Sequence, residues 1–280
     1  MSVVAWMLAL ASAVLYGLSD YVGGIASRRI HFAVTAILGQ VVGLVVAVVL
    51  AAANGSGVPR VADLGWGALS GMGTALGMAA LFRGLGRGTM STVVPTSTLT
   101  GMGLPVLFGV VVEGQRPTLA AGIGIVAALP ALWLVARTPD GASTASRAAV
   151  LDGLVAGVGI AIQYLALAHA APVSGFWPVA AGRVAAVCAL VPLVLWVRAV
   201  WVAEFRPICL AALAGATAAL ALAAYLAAAQ RQLAVVAVCL SSLYPVIPVL
   251  LGITVLHERL TRAQCVGLFL ATIAVVLLAV

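Results

Sequence analysis

Residues 180–193 read AAGRVAAVCALVPL, a run holding one arginine and no other charge. The surrounding stretch, from about 174 to 197, is apolar for long enough to cross a bilayer as a helix, which takes roughly 20 residues. A guanidinium keeps its charge in any protein environment, so Arg183 needs partners or water inside that helix. The stretch therefore sets two expectations: membrane-spanning helices, and a polar place among them.

Composition extends the first expectation to the whole chain. Of 280 residues, 64% are hydrophobic and 8% charged, with mean hydropathy +1.23, which is the profile of an integral membrane protein. The opening run has no basic region before it and is read as a retained span, not a signal peptide. All fourteen basic residues are arginine, and the net charge of +7 is spread over connecting segments. That distribution gives no basic stripe for nucleic acid, and anionic lipid headgroups are the expected neighbours. Cys188, Cys209, Cys239 and Cys265 fall singly in apolar runs and are expected as small core residues, with neither disulfide nor metal site.

Ten segments are long enough to span: about 3–26, 33–53, 64–85, 89–112, 117–136, 149–170, 174–197, 207–229, 233–256 and 262–280. Pro117 and Pro207 suit the first turn of the fifth and eighth helices, and Thr261 suits the N-cap of the tenth. A displacement of 143 lays Asp20-Tyr21 on Gln163-Tyr164, Gly39-Gln40 on Gly182-Arg183, and Pro105 and Gly109 on Pro248 and Gly252. At 144, Gly71 falls on Gly215 and Arg87 on Arg231, and the spacing from Glu113 to Gly122 recurs from Glu258 to Gly267. The expected fold class is an all-α integral membrane protein, ten transmembrane helices as two five-helix repeats, residues 1–140 and 141–280. Five is odd, so the halves enter the membrane in opposite senses, an inverted arrangement recurrent in secondary transporters with midplane sites.

The chain resembles the EamA-type members of the drug/metabolite transporter (DMT) superfamily. The likeness is carried by LYGLSDYVGG at 15–24, AALFRGLGRGTMSTVVP at 79–95, AAYLAAAQRQLAVVAV at 223–238 and LHERLTRAQCVGLFLATIAVVLL at 256–278. The resemblance implies helices one to four and six to nine around a central cavity, with five and ten at the periphery. It also implies export of amino acids, other metabolites or drugs, aromatic amino acids being one class. The first half departs from the pattern, since VEGQRPT at 112–118 stands where HERLT stands in the second.

Arg183 has two readings at this stage. It holds a substrate carboxylate in a wet cavity shared with Gln40, or it is tied structurally to carbonyls near Pro178 or to Asp20. Asp20, read as the acid inside a span, could bind a coupling proton or a substrate amine, or cap the helix end beside Arg28 and Arg29. Gln163, Tyr16, Tyr164, Trp177, Tyr225 and Tyr244 are candidate cavity residues, each with packing as the alternative. Pro95, Pro105, Pro245 and Pro248 free backbone carbonyls and are candidate hinges. Glycines 71, 73 and 77 read as a close-packing face, and Glu113 and Glu258 as helix-start charges.

His31, His169 and His257 lie apart, and no HExxH, GxSxG, phosphate loop or acid pair is present, so neither an enzyme nor a bound metal or cofactor is expected. The expected activity is secondary transport of a small carboxylate-bearing metabolite such as an amino acid. Cationic drug efflux, a membrane enzyme or a channel are the alternatives; Arg183 disfavours the first, and a channel would show rings of like groups along a pore. The expected setting is a bacterial inner or plasma membrane, with a monomer or homodimer and no nucleic acid partner. Ten arginines flank odd-numbered connections and three flank even ones, which places both termini outside, whereas the resemblance implies both inside. Sidedness stays open.

Overall fold

In lipid a long apolar run can satisfy its backbone only by coiling into a helix, and the molecule is built accordingly. The structure, a computed structural model, describes residues 3–27, 29–55, 57–86, 90–135, 147–198, 204–247 and 261–279. Among them run α1 (Val3–Ser27), α2 (Phe32–Ala53), α3 (Val61–Gly86), α4 (Met90–Val111), α5 (Leu119–Val135), α6 (Arg147–Ala168), α7 (Trp177–Trp196), α8 (Phe205–Ala229), α9 (Ala234–Ser241) and α10 (Arg262–Ala279). No strand occurs among the described residues. Six helices, α1, α2, α3, α6, α7 and α8, are long and apolar enough to cross a membrane. The chain is a multi-pass, all-α membrane protein.

Its polarity is distributed for lipid. Val41, Val45 and Val49 on α2, Ile123 and Val126 on α5, and Phe269 on α10 are exposed, while Gln40, Gln163, Ser97, Thr98 and Arg183 are buried. Large apolar side chains face outward where water would penalise them and lipid does not. Cys188, Cys209 and Cys265 join that outer surface and only Cys239 is buried, so three of the four are not the core residues their apolar settings implied.

The main pairings are α1 with α8, α3 with α6 and with α7, α4 with α6, α2 with α7 and α8, and α5 with α10. Small residues set the approach. Gly67 and Gly71, one turn apart, lie on the backbone of Pro178 and Gly182 in α7. Gly73 and Gly77 do the same against Gly159 in α6. The small face expected on this helix is thus two faces, each receiving a different neighbour. Gly39 of α2 and Gly215 of α8 meet backbone to backbone in the same way.

Helix ends follow local chemistry. His31 Nδ1 accepts from the Ala33 amide at the start of α2. Thr261 caps α10 as expected, its Oγ1 accepting from the Gln264 amide while Gln264 Oε1 accepts from the Thr261 amide, a reciprocal capping box. Pro117 stands ahead of α5, because Thr118 takes the cap by accepting from the Ala121 amide. The ninth helix stops at Ser241, and residues 242–245 form a turn. Pro245 disfavours helical geometry at the residue before it, which breaks the expected 233–256 run. Pro248, His257, Glu258 and Arg87 lie outside the described residues.

Candidate functional site

Gln40 is the ninth residue of α2 and Arg183 the seventh of α7, about 12 and 9 Å along their helices at 1.5 Å per residue. The pairing of α2 with α7 brings them together. Arg183 Nη1 donates to Gln40 Oε1 at 2.8 Å, and Gln40 Nε2 donates to Met78 Sδ on α3 at 2.8 Å. Gln40 is fully buried and Arg183 is 3% exposed. Gly43, three residues beyond Gln40, lies close to α8, where a Cβ would stand 3.0 Å from the Gly215 carbonyl oxygen and in ordinary contact, 3.4 Å, with Arg183 Nε.

That bonding leaves the arginine unfinished. A guanidinium carries five N–H donors, and Nε is buried with no partner. Among the described residues no carboxylate lies within 4 Å of it, so Asp20 is not its partner. Arg183 borders a cavity of about 80 Å³, room for several waters or the polar end of a small molecule.

Asp20 borders the same cavity, with Tyr16, Gln163, Tyr164 and Tyr244. Its carboxylate has no ion pair among the described residues, and its neighbour Ser19 is fixed by donating to the Ala214 carbonyl of α8 at 2.8 Å. Gln163 is held from two sides: Thr74 Oγ1 donates to its Oε1 at 2.6 Å, and its Nε2 donates to the Tyr16 hydroxyl at 2.8 Å. Tyr16 lies edge-on to Tyr164 with ring centroids 6.2 Å apart, and 6.3 Å from Tyr244. Tyr244, in the turn after α9, exchanges a hydrogen bond with Thr98 at 3.1 Å.

Three candidates do not border the cavity: Gln40, which is fully buried and meets it only through Arg183, Tyr225 and Trp177. Tyr225 is buried behind the cavity wall, its hydroxyl donating to the Tyr164 carbonyl at 2.9 Å. Trp177 packs on the apolar core at the start of α7. Pro95 and Pro105 lie within α4, and Pro245 lies in the turn beside Tyr244.

Several residues of this site carry no signal in the sequence. Thr74, Thr98 and Met78 are ordinary in an apolar span until their partners are known. Asp152 is a correction: it lies inside α6, 1% exposed, so Asp20 is not alone as an intramembrane acid. Arg83 at the end of α3 binds it through Nε at 2.9 Å and through Nη2. Asp63 ties the opposite end of α3, accepting from the Ala171 amide at 3.0 Å and from the Ser174 hydroxyl. His169 is engaged at that end too, with Nε2 3.2 Å from Glu113 and its ring stacked on Trp66.

No family model and no curated protein matches this sequence. A solved crystal structure of a protein superposes on 98% of this chain and 95% of its own, with a TM-score of 0.73 at 18% identity. At that identity the likeness establishes a shared fold.

Proposed function

We propose that the protein is a secondary transporter of EamA type in the drug/metabolite transporter superfamily, exporting a small carboxylate-bearing metabolite such as an amino acid by alternating access. In this reading ten spans form two inverted halves, 1–140 and 141–280, in the cell membrane. The observation that carries the reading is Arg183: buried about a third of the way along its span, short of hydrogen-bond partners and bordering a cavity. A central arginine costs about 2.5–3.5 kcal/mol to insert, and an oxyanion that takes its remaining N–H groups through paired bonds offsets that cost.

The inverted repeat draws support from an exchange of contacts. Replacing each helix by its counterpart five places on turns α1 with α8 into α6 with α3, and α2 with α8 into α7 with α3; α2 with α7 and α5 with α10 map onto themselves. Residues follow suit. The Gly71–Gly182 contact becomes Gly215–Gly39, and Gln40 and Arg183, 143 residues apart, become each other. Arg183 thus lies where an internal two-fold axis would pass, the position about which two rocking halves keep a site fixed.

The test is counterflow of labelled amino acids into preloaded proteoliposomes, comparing wild type with Arg183→Gln. A hydrogen bond to a charged group is worth about 1.5–3 kcal/mol, so the variant should lose carboxylate exchange by roughly 10- to 100-fold while remaining monodisperse. Equal exchange by the two proteins would assign Arg183 a purely structural role.

A further inference from the structure

An acid and an arginine border one small cavity, and they are not paired with each other. Arg183 and Asp20 both line it, yet no ion pair within 4 Å joins them. Arg183 is held on the α2 side by its bond to Gln40. Asp20 follows Ser19, whose hydroxyl pins that turn of α1 to α8. Arg183 and the turn that carries Asp20 are therefore held on different helix pairs.

We infer that Asp20 is the ammonium-binding pole of the site and Arg183 the carboxylate-binding pole, so that the cavity selects zwitterions over plain carboxylates and plain amines. The inference rests on the transporter reading above and narrows its substrate class. A zwitterion supplies the anion that Arg183 lacks and the cation that Asp20 lacks. A plain carboxylate adds a second negative charge beside Asp20, and a plain amine adds a second positive one beside Arg183. Such mismatched charges in a confined site discriminate between ligands more than apolar contact does. Leu81, Phe82 and Ile160 complete the lining with apolar surface for a side chain.

The experiment uses matched triples in counterflow with the full-length protein: L-alanine, propionate and ethylamine; L-leucine, 4-methylpentanoate and isoamylamine; L-phenylalanine, 3-phenylpropionate and phenethylamine. Wild type should exchange at least one amino acid at least 10-fold faster than either of its analogues. Asp20→Asn should lose that exchange at least 10-fold and gain exchange of the matching carboxylate, a gain that a misfolded variant would not show. Removing Arg183 as Arg183→Gln should invert the preference toward the amine. If wild type moves the plain carboxylate as fast as the amino acid, or Asp20→Asn keeps amino acid exchange, the ammonium role is overturned and the transporter reading stands. If folded wild type exchanges none of the nine compounds, both the pole assignment and the carboxylate-substrate reading fall.

Discussion

A single hydrogen bond separates two jobs that Arg183 could perform. Gln40 satisfies one of its N–H groups, Nε is buried without a partner, and the side chain borders the cavity, so the arginine is anchored and still within reach of a ligand there. Gln40→Leu removes the anchor and should lower stability by about 2 kcal/mol, read as a drop in thermal unfolding temperature in detergent. Gln40→Glu should act in the opposite way on stability, because a carboxylate at that position completes the arginine internally, yet abolish exchange of carboxylate-bearing substrates. Stability and transport moving in opposite directions would identify the unsatisfied guanidinium as the binding group; both falling together would count against it. Arg183 was legible in the sequence because an intramembrane charge is expensive wherever it occurs. Thr74 and Met78 were not, since a threonine or methionine is cheap in any span and acquires meaning only from Gln163 and Gln40 across the bundle.

At the scale of the helix, glycine placement decides which surfaces can touch. Gly65 and Gly71 belong to the same helix, but a Cβ on Gly65 meets nothing within 4 Å whereas one on Gly71 collides with the Gly182 backbone. Gly65→Ala should therefore stabilise α3 slightly, within the roughly 1 kcal/mol that alanine gains over glycine in a helix. Gly71→Ala should separate α3 from α7 and lower the unfolding temperature, and Gly215→Ala should do the same to α8 and α2. Circular dichroism melts of the three variants suffice; similar melts for Gly65→Ala and Gly71→Ala would contradict the close approach. The helices themselves were legible from apolar length, and their ends were recovered within a few residues except in α9. There the apolar pattern runs on past Ser241, and only the proline at 245 hinted that the helix stops. Asp152 was missed for a related reason: it stands near the start of its helix, where an acid reads as a connection, and its partner Arg83 is 69 residues away.

Over the whole molecule, the central cavity lies between two polar ties on α3. At one end Arg83 holds Asp152 of α6; at the other Asp63 holds the link between α6 and α7. Both ties link α3 to α6 or to the α6–α7 connection; under the proposed two-half transporter, alternating access would require each to loosen in turn. Replacing Arg83 breaks an ion pair to Asp152, a carboxylate almost without solvent contact, and breaking a buried pair costs more than never having made it. Arg83→Gln should accordingly free the end of α3 from α6, and the effect should reach the cavity. Thr35, buried near the start of α2, lines the cavity and serves as reporter when replaced by cysteine in a background lacking the four native cysteines. A water-soluble maleimide should label Thr35→Cys faster when Arg83→Gln is also present, while Asp63→Asn, at the far end, should leave that rate unchanged or lower it. Equal labelling in all three backgrounds would mean that the Arg83–Asp152 pair holds helices together without controlling access to the cavity between them.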